Sequence, residues 1–205
     1  SDHISGLSEV IDSGYTIEHI VVAEAAAKEA AMDELVLKAK EAGIDICFMS
    51  KGDSIEINAA SGSRNTAKEE TDGVMCLYPG TADTASDRND MCLVLKLTDG
   101  AFSGVFGGDI PSEVEKELVA EYGKELSVDF YKANHHGSKY SGSKEWIEAL
   151  SPRWAAVSCA VENRYGHPAD EAMERLIDAK CRIFYTMQSG QIKYKESAIY
   201  ENNRQ

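Results

Sequence analysis

Along this chain, short apolar runs of strand length alternate with longer stretches whose apolar residues recur at helical spacing. Residues 4–11 read as a short helix and residues 18–22 as a strand. Within 28–42, Met32, Leu35, Val36 and Ala39 recur near helical spacing, and Gly43 supplies the stop. A strand over 44–49 follows. Lys51-Gly52-Asp53 then reads as a turn before an alternating strand over 54–58. Residues 61–72 are rich in Ser, Asn, Thr and Glu and read as a loop or a mobile insertion.

Residues 75–78 return to strand and stop at Pro79-Gly80. Strands over 91–97 and 101–106 flank Thr98-Asp99-Gly100, a hairpin signal with Asp-Gly at the turn. Pro111-Ser112-Glu113 opens a helix to about residue 122, with proline and acid suited to a first turn. A strand over 128–133 precedes a helix over 143–150 with Ser143 as N-cap. A fully apolar strand over 154–160 precedes a helix over 168–179, where Ala172, Leu176 and Ala179 share a face. Strands over 182–186 and 191–195 close the pattern around Ser189-Gly190. This alternation predicts an α/β layered architecture in a single domain over 1–205.

Composition narrows the classes. Hydrophobic residues make up 43% of the 205, enough for a packed core and too many for a disordered chain. No apolar run approaches the roughly 18 residues of a membrane span. The formal net charge of -14 argues against tight, non-specific nucleic-acid binding. It leaves a nuclease open, because a bound dication changes the field at its own site. Cys47, Cys76, Cys92, Cys159 and Cys181 form no C-x-x-C pair and read as reduced, buried thiols of an intracellular protein.

The chemistry gathers at strand ends. The strand over 128–133 ends in Asn134-His135-His136-Gly137-Ser138, and the strand over 101–106 ends in Gly107-Gly108-Asp109. Histidines and aspartates at strand ends are how a rigid sheet presents ligands to a metal ion. Asp109 reads either as a ligand, brought close by two glycines, or as the cap of the helix at Pro111. Adjacent strand residues point to opposite faces, so His135 and His136 serve one cavity only if the backbone turns, which Gly137 permits. One then binds metal, and the other orients a ligand or contacts substrate; alternatively, one is a satisfied core histidine. Asn163-Arg164-Tyr165-Gly166-His167-Pro168 offers an amide, a guanidinium, a phenol and an imidazole for an anionic substrate, or else a helix-capping loop. His19 reads as structural, and Lys124, Lys132 and Lys139 as solvated surface.

Taken in order, Asp2-His3-Ile4, Asn89-Asp90-x-Cys92-Leu93-Val94-Leu95, Gly107-Gly108-Asp109, His135-His136-Gly137-Ser138 and Asn163 to Pro168 resemble the metallo-β-lactamase-fold hydrolases. The chain is most similar to the ComEC-type branch, named after the C-terminal domain of a competence DNA-uptake protein. The resemblance implies an αββα sandwich with a metal site at one edge of its two sheets. It implies that Asp2 and His3 are the last two positions of a His-x-His-x-Asp-His motif, whose leading histidines and first strands would lie upstream of residue 1. Cys92 stands where the branch commonly has serine. The implied cofactor is zinc or manganese, one or two ions, held by Asp2, His3, Asp109 and His136, with Asp109 bridging. Asp2, Asp109, His135 and His167 are the implied catalytic residues. Asn163, Arg164, Tyr165 and Ser138 are the implied substrate contacts.

Two functions follow as expectations. One is a metal-dependent hydrolase of a phosphodiester or related ester, its partner a small molecule or single-stranded nucleic acid. The other is a non-catalytic fragment or emptied site used for binding or scaffolding. A cytoplasmic setting is expected for this chain, with a secreted or membrane-attached parent open. Loss of a covering sheet predicts exposed apolar surface and self-association into a homo-oligomer, or an atypical N-terminal sheet.

Overall fold

The computed structural model describes residues 2–28, 30–57, 72–80, 88–195 and 198–202. Helix α1 (Asp2–Asp12), strand β1 (His19–Ala23), helix α2 (Ala30–Glu41) and strand β2 (Asp45–Met49) form a first unit. β1 and β2 pair in parallel, Ile20 against Ile46. The parallel pairing follows from the α2 crossover between them. Ile20 and Val22 pack onto Met32, Leu35 and Ala39, with Leu7 and Ile11 of α1 against the same cluster. Beyond β2 the chain is tied to the main sheet: Gly52 N donates to Cys76 O at 2.9 Å, and Cys76 N donates to Asp53 O at 2.9 Å.

The main sheet has seven strands in sequence order: β3 (Ser54–Glu56), β4 (Gly73–Tyr78), β5 (Val94–Asp99), β6 (Phe102–Phe106), β7 (Phe130–Lys132), β8 (Trp154–Val157) and β9 (Arg182–Tyr185). From β3 to β6 the pairs are antiparallel; from β6 to β9 they are parallel. The change is set by the connections. A tight turn joins β5 to β6, whereas α3 (Ser112–Tyr122), α4 (Lys144–Leu150) and α5 (Asp170–Asp178) carry the crossovers that parallel pairs need. Val105, Tyr131, Ala155 and Ile183 stand side by side across β6 to β9. The first three are buried in the cluster that includes Leu118, Ile147, Leu150 and Leu176 of the helices, and Ile183 packs against it. Each such aliphatic burial contributes roughly 1.5–3 kcal/mol. The four parallel strands all run the same way, so the carboxyl ends of β6, β7 and β8 meet along one edge of the sheet. Crevices at that edge are where α/β sheets seat ligands.

The other face carries aromatic rings. Gly104, lacking a side chain, leaves room for Phe102, Phe106 and Phe130 around it. Phe102–Phe130 and Phe106–Phe130 centroids lie 6.2 and 5.7 Å apart. Tyr194 of β10 (Gln191–Lys195) stacks on Phe102 at 4.0 Å, yet Phe106 remains 37% exposed. Apolar surface of this kind promotes association. Light scattering of the chain across a concentration range is expected to show self-association, reduced by Phe106→Lys; a monomer mass at every concentration would count against it.

The α/β class expected from the alternation is the one the chain forms, with a large mixed sheet and helices. Details differ. β8 ends at Val157, and residues 158–160 leave the sheet toward the strand-end edge. Asp99 stays paired with Phe102, so the hairpin turns at Gly100-Ala101, one step late. The Asp72 carboxylate accepts from Gly100 N at 2.6 Å and helps hold that turn. The loop expected over 61–72 otherwise lies outside the described residues. After β9 the chain makes one helical turn, α6 (Thr186–Ser189), and β10 pairs with β11 (Ala198–Asn202), which the pattern did not announce. Among the described residues no two cysteines form a disulfide; Cys76 and Cys181 are buried, and burial pushes Cys181 up to about 12. Cys47 departs from the expectation and is exposed. No helix among the described residues is long and apolar enough to cross a membrane.

Candidate functional site

Three chain segments leave the carboxyl ends of β6, β7 and β8 and converge. The first is Gly107-Gly108-Asp109. A side chain at Gly107 would collide with the Asn134 amide, and a Cβ at Gly108 would lie 2.8 Å from Cys92 Cβ, at a φ of +60. These two positions therefore demand glycine. Asp109 is only 7% exposed, and its N–H donates to Cys92 Sγ at 3.4 Å. It does not cap the next helix: the N-cap of α3 is Pro111, with no side-chain cap bond. Gly108→Ala is expected to destabilise the fold by about 2 kcal/mol or more, combining left-handed strain with overpacking. A urea titration reads this directly, and an unchanged midpoint would contradict it.

The second segment is Asn134–Gly137, a distorted 3-10 turn. Here His135 and His136 themselves take positive φ, 48 and 56. Gly137 extends the left-handed run at φ 79. Two consecutive side-chain-bearing residues in this region store strain, and surrounding bonds must hold it. They are present: His135 N donates to Gly108 O, Ser138 N to His135 O and Ala169 N to Gly137 O, each at 2.9 Å. Asn134 N donates to Tyr131 Oη at 2.9 Å, and Asn134 Nδ2 to the buried Glu115 carboxylate at 2.8 Å. The turn aims both imidazoles toward one cavity of about 490 Å³, which Asp109 and His167 also line.

The third segment is Ser158–Ala160. Its Ser158 carbonyl accepts from His136 Nδ1 at 2.7 Å. A carbonyl cannot donate, so Nδ1 carries a proton toward Ser158, and the other ring nitrogen, Nε2, lies 3.5 Å from Asp109 Oδ1. A carbonyl-oriented imidazole beside a carboxylate is a donor set suited to zinc or manganese. Among the described residues no group of three His, Cys, Asp or Glu side chains comes together for a metal. Asp2 and His3 start helix α1, but their side chains lie outside the described residues. Lys132 also differs from its reading as solvated surface. Its Nζ donates to Ala133 O at 2.9 Å; burial lowers its pKa, while Asp109 pulls it back up.

The loop 163–167 forms the outer wall. Asn163 Nδ2 donates to Ala160 O and His167 O, at 3.1 and 2.6 Å, and its Oδ1 accepts from Tyr165 N and His167 N, at 3.2 and 2.9 Å. The Asn163 amide thus shapes the loop. Ser138, 2% exposed, likewise accepts from Tyr140 N at 3.3 Å within its own turn. Arg164 and Tyr165 remain at the surface, the guanidinium 4.8 Å from the Tyr165 ring centroid. Tyr165 stacks on His167 at 5.8 Å, and His167 meets His135 edge-on at 5.7 Å. Burial chiefly, helped by the charges of His135 and His136 and opposed by Asp109, pushes His167 below its ordinary 6.5. The unfolded chain then takes up a proton that the folded chain refuses. Stability should therefore fall as pH drops below about 6.5 and through the lower folded value. Urea midpoints of the chelator-treated protein from about pH 7.5 to about pH 5.5 should drop less in His167→Asn than in the parent chain.

With this geometry in place, likeness to curated proteins becomes informative. ComE operon protein 3 of Bacillus subtilis (strain 168) is 29% identical over 194 residues, 95% of this chain and 23% of that protein. Competence protein ComA of Neisseria gonorrhoeae is 29% identical over 137 residues, 65% of this chain and 20% of that protein. The chain is similar to bacterial competence proteins. It spans less than a quarter of the length of either. No protein-family model matches the chain.

Against the residues singled out from sequence, the structure brings Asp109, His135, His136, Asn163, Tyr165 and His167 to one cavity. Sequence reading quoted Asn89 only within a family motif and gave it no place at the site, and it missed Ser158 and Cys159 on the wall and Glu115 behind it. Cys159 lay inside an apolar run, and a carbonyl such as that of Ser158 has no residue signature at all. Glu115 looked like one more first-turn acid, and only its place on the inward face of α3, in line with Leu118, sets it apart.

Proposed function

We propose that this chain is a metal-dependent hydrolase unit of metallo-β-lactamase type, acting on phosphodiesters, with single-stranded nucleic acid as the macromolecular substrate. The observation that carries this reading is the approach of His136 Nε2 to Asp109 Oδ1, with Ser158 fixing the imidazole from behind. Likeness to proteins named for competence supports the nucleic-acid substrate and a part in DNA uptake.

Asp109 and His136 would hold zinc or manganese, joined by Asp2 and His3 as the resemblance implies. When bound, such a metal supplies Lewis acidity toward a phosphoryl oxygen and makes water a nucleophile near neutral pH. The remaining work belongs to the chain. Burial keeps His167 neutral, so its ring both donates and accepts, and it stands beside His135 to meet charge developing on phosphoryl oxygens. Lys132 balances part of the Asp109 charge from below. Arg164, held against the Tyr165 ring, would offer a planar donor fork to a neighbouring phosphate.

The test is hydrolysis of bis(p-nitrophenyl) phosphate and of a single-stranded oligonucleotide by the chain with zinc or manganese. Metal-dependent turnover is expected. Stoichiometric metal with no turnover on either substrate would overturn the reading. A second reading, binding without hydrolysis, has one observation behind it: among the described residues only two ligating side chains meet. Equilibrium dialysis against zinc separates the two, because a two-ligand site binds weakly.

A further inference from the structure

Next to the metal-facing cavity lies a second depression of about 370 Å³, and the two share the wall formed by Tyr165 and His167. Two large rings border it, Tyr140 and Tyr165, 67% and 64% exposed. Each carries a cation at its ring: Lys139 Nζ lies 5.1 Å from the Tyr140 centroid, and the Arg164 guanidinium 4.8 Å from that of Tyr165. Exposed aromatic rings accompanied by cations, along a track that leads to a phosphate-handling site, are the elements from which single-strand binding is built. The remaining border includes Asp170 and Glu171. Those carboxylates oppose a phosphate there, and they accept hydrogen bonds from base N–H groups.

We propose that this depression is a nucleobase subsite, holding the base next to the phosphodiester in the adjoining cavity and favouring guanine. The inference rests on the phosphodiester reading of that cavity. Guanine presents N1–H and N2–H side by side, so one carboxylate accepts both. Thymine presents a single N–H. A base-directed subsite also fits the charge of the chain. At a net charge of -14, attraction to the sugar-phosphate backbone supplies little hold, and stacking on Tyr140 and Tyr165 does not depend on it.

The experiment is a fluorescence-anisotropy titration of the chain, in EDTA, with short labelled strands of abasic deoxyribose phosphate carrying one guanine, one thymine or no base. Guanine should raise affinity about tenfold over the base-free strand. Tyr140→Ala should remove most of that gain and leave the base-free strand unaffected, and Tyr165→Ala should remove most of the guanine-over-base-free ratio. Both side chains are exposed, and circular dichroism confirms that the variants fold. Equal affinity for the guanine and base-free strands, or a gain that survives both substitutions, would overturn the subsite. Thymine binding as tightly as guanine would overturn the role of Asp170 and Glu171. The titration contains no metal and no turnover. Failure to hydrolyse bis(p-nitrophenyl) phosphate, which has no base, therefore tests the hydrolase reading separately.

Discussion

In the proposed hydrolase, Asp109→Asn should lower phosphodiester hydrolysis roughly a thousandfold, the expected scale when several kcal/mol of metal-derived charge stabilisation is lost. Asparagine preserves the shape of the side chain and, with it, the packing behind Gly107 and Gly108. It removes the negative charge that faces His136. Zinc affinity, measured by dialysis, should fall in the same variant, because a neutral amide oxygen is a poor ligand for a dication. His136→Ala should produce a similar loss by removing the opposite donor. His167→Asn should cost less, since that ring acts on the substrate side of the cavity. The decisive comparison is rate at saturating metal. If Asp109→Asn still turns over at the parent rate, this carboxylate is not part of the machinery.

Glu115→Ala is the most destabilising single change expected in the chain. Glu115 is fully buried and accepts from Asn134 Nδ2 at 2.8 Å, Gly142 N at 2.6 Å and Ser143 N at 2.7 Å. Alanine strands three donors away from water, and at about 1–3 kcal/mol each the loss is at least about 3 kcal/mol. Arg175 holds the same stretch from the other side, its guanidinium donating to Gly142 O at 2.6 Å and Ser141 O at 2.9 Å. The damage should therefore spread through residues 134–143, which include the two left-handed histidines. Glu115→Gln keeps one acceptor oxygen and should recover part of the loss. Glu117→Ala, on the exposed side of the same helix, should stay within about 0.5 kcal/mol. Urea unfolding of the three variants reads the series. A Glu115→Ala midpoint matching that of Glu117→Ala would show that the carboxylate holds nothing.

Much of this was legible before any coordinates, and the physical reason is periodicity. α3, α4 and α5 carry apolar residues at helical spacing, and Ser143 caps α4 as its position suggests, accepting from Trp146 N. β6 and β7 were visible because their apolar runs end abruptly in glycine, aspartate or histidine. Strand ends were less legible. Residues 158–160 are apolar enough to continue β8, but the chain turns there to place a carbonyl against His136, and hydrophobicity does not encode that turn. Gly137 marked a bend, yet the bend begins two residues earlier, on histidines that disfavour it. Strain of this kind is invisible to a propensity argument, because tertiary hydrogen bonds impose it. Lys132 was misjudged for a related reason. A lysine at a strand end looks solvated until the neighbouring strands close around it.

A whole helix and a strand lie between Asp109 and His136, so no local stretch of chain can bring them together. Any cation seated there recognises only the native topology and has little hold on the unfolded polymer. Its binding energy is then added to the stability of the fold. The supply of that ion in the surroundings would set how much of the chain survives heat or proteases.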